Sequence, residues 1–133
     1  MYKETIHNDE IRDLPLLEFE GKIHLIEDLE SQEEVAEKLK REYSLGFDTE
    51  SRPSFKKGVI HPVALLQLST DADAYLFRLN GVGLCDGIVE ILEDQTIAKI
   101  GVAITDDIKD LQKLSPFEAG GFVALVACRP ECR

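Results

Sequence analysis

The chain has 133 residues, 44% of them hydrophobic and 31% charged, with a formal net charge of −11. That describes one domain with enough apolar material for a single two- or three-layer core, and so strong an acidity argues against broad electrostatic attachment to nucleic acid. No apolar run reaches the length of a membrane-spanning helix, the N-terminus is charged without a signal-peptide core, and the three cysteines make no disulfide framework, so a cytoplasmic protein with reduced thiols is expected.

Residues 1–20 read as a polar lead-in whose Leu14, Leu16, Leu17 and Phe19 are apolar enough to cover a core. A strand is predicted from Lys22 to Glu27, with Ile23 and Leu25 on one face and a structural or solvated His24 on the other. Ser31 with Glu34 three residues on reads as a capping box, opening a helix that runs to about Tyr43 with Val35 and Leu39 inward. Ser44 to Glu50 is a strand. Residues 51–62 are a loop, because Pro53, Gly58 and Pro62 forbid regular structure there. Val63–Ser69 and Ala74–Leu79 form a hairpin around a turn at Asp71–Asp73, with Gln67 expected as a buried amide serving backbone groups. A helix over Leu84–Glu93, containing a buried Cys85, precedes a strand over Ile97–Ala103. Thr105 is expected to cap a third helix, Asp106–Leu114, with Ile108, Leu111 and Leu114 inward and Ser115-Pro116 as its stop. Gly120-Gly121 leads into a last apolar run, Phe122–Ala127. This order predicts an α/β domain with a mixed sheet.

Two constellations carry chemistry. In Leu45-Gly46-Phe47-Asp48-Thr49-Glu50 the two acids lie two residues apart on a strand, so they share a face. Paired carboxylates suit a hard divalent ion with oxygen ligands, Mg²⁺ or Mn²⁺; the blander reading is that they close a strand. In Lys99-Ile100-Gly101-Val102-Ala103-Ile104-Thr105-Asp106-Asp107 a strand delivers acids to a helix N-terminus, where the helix dipole alone accounts for them. The loop after Glu50 adds Arg52, Phe55, Lys56 and Lys57, either a phosphate- and base-binding strip or a solvated loop offsetting an acidic chain. Residues 1–50 hold six Lys and Arg against fifteen Asp and Glu, but residues 51–133 hold nine against eleven, which leaves room for such a strip.

The ordered set of motifs resembles the DEDD superfamily of 3′–5′ exonucleases, in the branch of ribonuclease D and the Werner helicase exonuclease domain. The first motif is Leu45 to Glu50, the next strand Val63 to Ser69, and the second motif Lys99 to Leu111, over roughly residues 20–123. The resemblance implies a ribonuclease H-like three-layer fold, a mixed β-sheet flanked by helices, and a two-metal phosphodiesterase that uses two Mg²⁺ or Mn²⁺ ions on a nucleic acid with a free 3′ end. It implies Asp48 as bridging ligand, Glu50 on the ion carrying the attacking water, and Asp107, rather than Asp106, on the second ion.

The departure is as informative. The family's third motif, a Tyr or His followed four residues later by an acid, is not found after Asp110, where the acids are Glu118 and Glu131 and no Tyr or His remains. The fold is therefore expected to be incomplete at the C-terminus, with residues 21–127 as the exonuclease-like domain and 128–133 as an atypical tail holding Cys128 and Cys132. An impaired exonuclease is expected, or alternatively an inactive remnant that binds nucleic acid or serves as an interaction module. Missing helices would bare one sheet face and invite self-association.

Overall fold

A computed structural model describes residues 21–51 and 63–126. The order is β1 (Lys22–Ile26), α1 (Leu29–Leu39), β2 (Ser44–Ser51), β3 (Val63–Ser69), β4 (Asp73–Arg78), α2 (Asp86–Glu93), β5 (Ala98–Val102), α3 (Thr105–Leu114) and β6 (Phe122–Leu125). The six strands form one sheet in the order β1-β4-β3-β2-β5-β6. β2, β3 and β4 pair antiparallel, while β1 on β4, β5 on β2 and β6 on β5 pair parallel.

The topology decides where the helices go. The crossovers β1-α1-β2, β4-α2-β5 and β5-α3-β6 each join parallel strands and step across the sheet in the same direction. Right-handed crossovers then place all three helices on one face. On that face Leu45 and Phe47 of β2, Leu66 and Leu68 of β3 and Tyr75 and Phe77 of β4 join Val35, Leu39, Ile88, Ile91, Leu92 and Leu111 in a single core. The alternate residues point the other way, where Ile23 and Leu25 of β1, Val102 of β5 and Val123 and Leu125 of β6 stay about half exposed. Apolar content alone marks Ile23 and Leu25 as core, yet the buried residue of β1 is Ile26, which lies in register with Phe77 on the helix-covered face.

Several local expectations need correction. The cap of α1 is Asp28, whose carboxylate accepts the Ser31 amide at 2.7 Å, so Ser31 is the capped residue and not the cap. The helix ends at Leu39 rather than Tyr43, with Lys40 as C-cap. Helix α2 begins at Asp86, leaving Cys85 buried at its N-cap as a free thiol. Thr105 is the first residue of α3, and Ile104, which is buried, occupies the cap position without a side-chain hydrogen bond. Gln67 is only half buried. The buried amide is Gln32, which donates to the Gly83 carbonyl at 2.9 Å and accepts from the Cys85 amide at 2.8 Å, tying α1 to the entrance of α2. His24 is structural: its Nε2 lies 2.8 Å from Asp73 and its ring stacks on Tyr75. No described helix is long and apolar enough to cross a membrane.

Candidate active site

Asp48 and Glu50 stand near the C-terminal end of β2 on the face away from the helices, in register with Gln67 and Leu65 of β3. Asp48 is half buried and Glu50 exposed, and a register shift follows Glu50 where the strand pair loosens. Asp107 comes from the other side, in the first turn of α3. The junction that brings α3 there is built from the second motif. A Cβ at Gly101 would collide with the Phe47 carbonyl and lie 2.6 Å from Ile104 Cγ2, so glycine is what lets β5 run this close to β2 just before Asp48. Ala103, at φ 52°, then turns the chain through the left-handed region into α3.

Lys99 has a different task. It sits in register with Leu45 on the helix-covered face and is fully buried. Its Nζ donates to the carbonyls of Ile91 and Asp94, each at 2.7 Å, at the end of α2, and lies 5.4 Å from the centre of the Phe122 ring. A helix end leaves such carbonyls without intrahelical partners, and a cation complements the dipole there. Burial pulls the Lys99 amine down to about 8, with the Asp94 carboxylate acting against that. Gly121, at φ +74°, makes the turn beside this amine. Lys99 and Gly101 therefore set the frame on which Asp107 is carried.

The electrostatics tie the acids together. Burial raises Asp48 above the usual carboxylate range, the Thr49 amide at 2.9 Å from its Oδ1 opposes this, and repulsion from Glu50 adds to the rise. Burial also raises Asp107; its contact with the Thr49 side chain opposes that, and the charges of Asp48, Asp110 and Asp106 raise it further. Asp48 thus feels both of the other acids, and a bound cation would relieve the repulsion. The donors are all oxygen, the chemistry hard divalent ions select. Their spacing is looser than a coordination shell: among the described residues no three acids, histidines or cysteines are gathered tightly enough to hold an ion. A cleft of about 310 Å³, lined by Glu42, Ser44, Gly46, Ser69, Thr70 and Asp71 among others, lies at the opposite end of β2 and contains none of the three acids. Arg52, Phe55, Lys56 and Lys57 lie outside the described residues, as do Cys128 and Cys132.

Comparison with known proteins matches residues 23–126 to the sequence family described as 3′–5′ exonuclease. The chain belongs to this 3′–5′ exonuclease family. It is 32% identical over 100 residues to the mouse (Mus musculus) bifunctional 3′–5′ exonuclease/ATP-dependent helicase WRN, a match covering 71% of this chain and 7% of the mouse protein. It is 32% identical over 84 residues to an Arabidopsis thaliana 3′–5′ exonuclease, covering 53% of this chain and 29% of that protein. The chain thus spans a small part of each relative's length. Among solved structures, the EXD2 exonuclease domain soaked in Mg and GMP superposes with a TM-score of 0.67 at 24% identity, over 78% of this chain and 56% of that one. Escherichia coli RNase D superposes with a TM-score of 0.64 at 18% identity, over 75% and 26%. The fold is the ribonuclease H-like α/β fold of the DEDD exonucleases.

Thr49 stood inside the first motif and Lys99 and Ala103 inside the second, but the sequence assigned none of them a role in this region. The signal for Lys99 was available: a lone lysine inside the apolar run Ile97–Val102 is either edge-exposed or a buried cation with fixed partners. Thr49 gave no such signal, because strand alternation turns it away from the acids beside it.

Proposed function

We propose that these residues form the metal-binding half of a 3′–5′ exonuclease site acting on DNA or RNA from a free 3′ end, with Asp48, Glu50 and Asp107 as the ligands. What supports the reading is that Asp107, at the start of α3, comes close enough to Asp48 of β2 to feel its charge, with Glu50 beside Asp48 on the same strand, within a chain of this family. Two Mg²⁺ or Mn²⁺ ions would supply an activated water and stabilise the leaving 3′ oxygen. That the related EXD2 domain has been soaked in Mg and GMP supports a divalent ion and a nucleotide product. Asp48, sharing charge repulsion with both other acids, is the ligand best placed to serve more than one ion. Arg52, Phe55, Lys56 and Lys57, following directly on Glu50, would hold phosphates and stack on a base. We take residues 21–127 as the functional unit and the cytoplasm as its compartment.

The 133 residues by themselves make an impaired enzyme. No Tyr or His with an acid four residues on follows Asp110, so the groups that would position the water and complete the ligand set are missing from this sequence. The second reading is an inactive module that binds nucleic acid, or that self-associates through the half-exposed apolar side chains of β1, β5 and β6. Calorimetric titration with Mn²⁺ of the wild type and of Asp48→Ala, followed by digestion of a 3′-labelled oligonucleotide, tests both. Binding lost in the variant, with weak digestion, is expected. Digestion at the rate of a complete exonuclease would refute the impairment, and equal binding by the two proteins would refute the metal site.

A further inference from the structure

The sheet face turned away from the helices carries a row that crosses all six strands. Pairing register sets Ile23 of β1 beside Ala74 of β4, then Ser69 of β3, Gly46 of β2, Ile100 of β5 and Val123 of β6. The middle of the row is small and its flanks are branched. A Cβ at Gly46 would collide with Ser69 Oγ, while Ile23 and Val123 stand about half exposed. The row is therefore a trough, and the cleft of about 310 Å³ that Gly46, Ser69 and Ile100 help to line lies along it. The next row, Leu25, Leu76, Gln67 and Asp48, is the one that holds the acid.

The chain enters the sheet at the lip of this trough. The Lys22 amide donates to the Ala72 carbonyl at 2.9 Å, next to Thr70 and Asp71 in the cleft wall, and a bend at Gly21 takes the preceding residues off the line of β1. Those residues include Leu14, Leu16, Leu17 and Phe19, four large apolar side chains within six positions. Three residues of extended chain before Lys22 reach about 10 Å and five reach about 17 Å, while crossing from β1 to β2 takes about 14 Å. We propose that the segment Leu14–Phe19, which lies outside the described residues, docks across this trough, with Phe19 over Ala74 and Ser69 and Leu17 in the cleft at Gly46. In an extended segment Leu17 and Phe19 share one side and Glu18 takes the other, so the apolar side faces the sheet and the acid faces water. A second copy of the chain is the poorer occupant. It carries a net charge of −11 towards a cleft whose walls already hold Glu42 and Asp71, whereas the tethered segment is present at high effective concentration. The docked segment covers Ile23 and the trough and leaves the row of Asp48 open. The proposal does not depend on the acids binding a metal.

The chain has no tryptophan, so Phe19→Trp in the full chain is a single fluorescent reporter of the segment's surroundings. Its emission is expected to lie to the blue of the urea-unfolded protein and to stay there on dilution. Adding Ile23→Glu or Ser69→Glu, which put a charge into the trough, should return it to the unfolded position while far-ultraviolet circular dichroism stays that of the parent. Leu17→Trp should behave as Phe19→Trp does, and Glu18→Trp should emit at the unfolded position throughout. Should Ser69→Glu unfold the chain, Ile23→Glu decides, since Ile23 is half exposed and outside the helix-side core. Emission of both Phe19→Trp and Leu17→Trp at the unfolded position overturns the proposal. So does a blue shift that Ile23→Glu leaves in place, which would put the segment elsewhere, or one lost on dilution, which would make a second copy the occupant.

Discussion

Replacing Lys99 with methionine should remove a pH dependence of stability that the wild type carries on the alkaline side. In the folded chain the amine is fully buried and its pKa is pulled from 10.5 to about 8, mainly by desolvation. In the unfolded chain it returns to the ordinary lysine value. Between these two values the unfolded state binds more protons, so stability rises with pH across that window. Below pH 8 the folded protein carries the full cost of holding a charged amine away from water. Integrated from pH 7 to 9.5, the relief is about 2 kcal/mol. The carbonyls of Ile91 and Asp94 keep their donors throughout, because a neutral amine still has two N–H groups for the two bonds at 2.7 Å. At pH 7 the methionine variant loses two hydrogen bonds from a charged donor, worth about 1.5–3 kcal/mol each, and is relieved of a desolvation cost of about 3 kcal/mol. The net change there is small to moderately destabilising, so the slope is the cleaner readout. Urea unfolding of both proteins at pH 7 and pH 9.5 measures it. The wild type should gain about 2 kcal/mol more than the variant over that interval. Parallel pH dependence in the two proteins would refute the assignment of Lys99 as a buried, strained cation.

Two further substitutions probe the frame. Gly101→Ala places a methyl against the Phe47 carbonyl and Ile104, and should destabilise the chain by about 1–3 kcal/mol in urea unfolding while weakening Mn²⁺ binding, since β5 must move away from the strand that carries Asp48. Gln32→Leu leaves the Gly83 carbonyl and the Cys85 amide without their partners and should lower stability by about 2–4 kcal/mol, with no change in Mn²⁺ affinity because Gln32 hydrogen-bonds Gly83 and Cys85 and none of the three acids.

Much of the architecture was legible in the residues. Strand and helix identities followed from periodicity and from glycine and proline punctuation, and every described element appears in the predicted order. Cap positions were less legible. Asp28 and Ser31 are both good N-cap residues three positions apart, and Ile104 takes a cap position that its residue type does not favour, so how the helix docks decides which residue serves. Asp48 and Glu50 sharing a face is a property of any strand, and Asp107 in the first turn of a helix is a property of its sequence neighbours. Local rules suffice for both.

What local rules do not contain is the relation between distant segments. Whether Asp107 comes near Asp48 depends on β5 pairing beside β2, on a glycine at the one place where the two backbones nearly touch, and on a left-handed alanine that turns the chain into α3. That Lys99 is a buried cap on α2 and that Ile26 is buried while Leu25 is not both follow from the single-sided packing of the helices. The sequence by itself determined the elements, the acids and the family to which they belong. Tertiary structure decided which of those groups meet, because burial and charge coupling are set by what packs across the sheet and not by position along the chain.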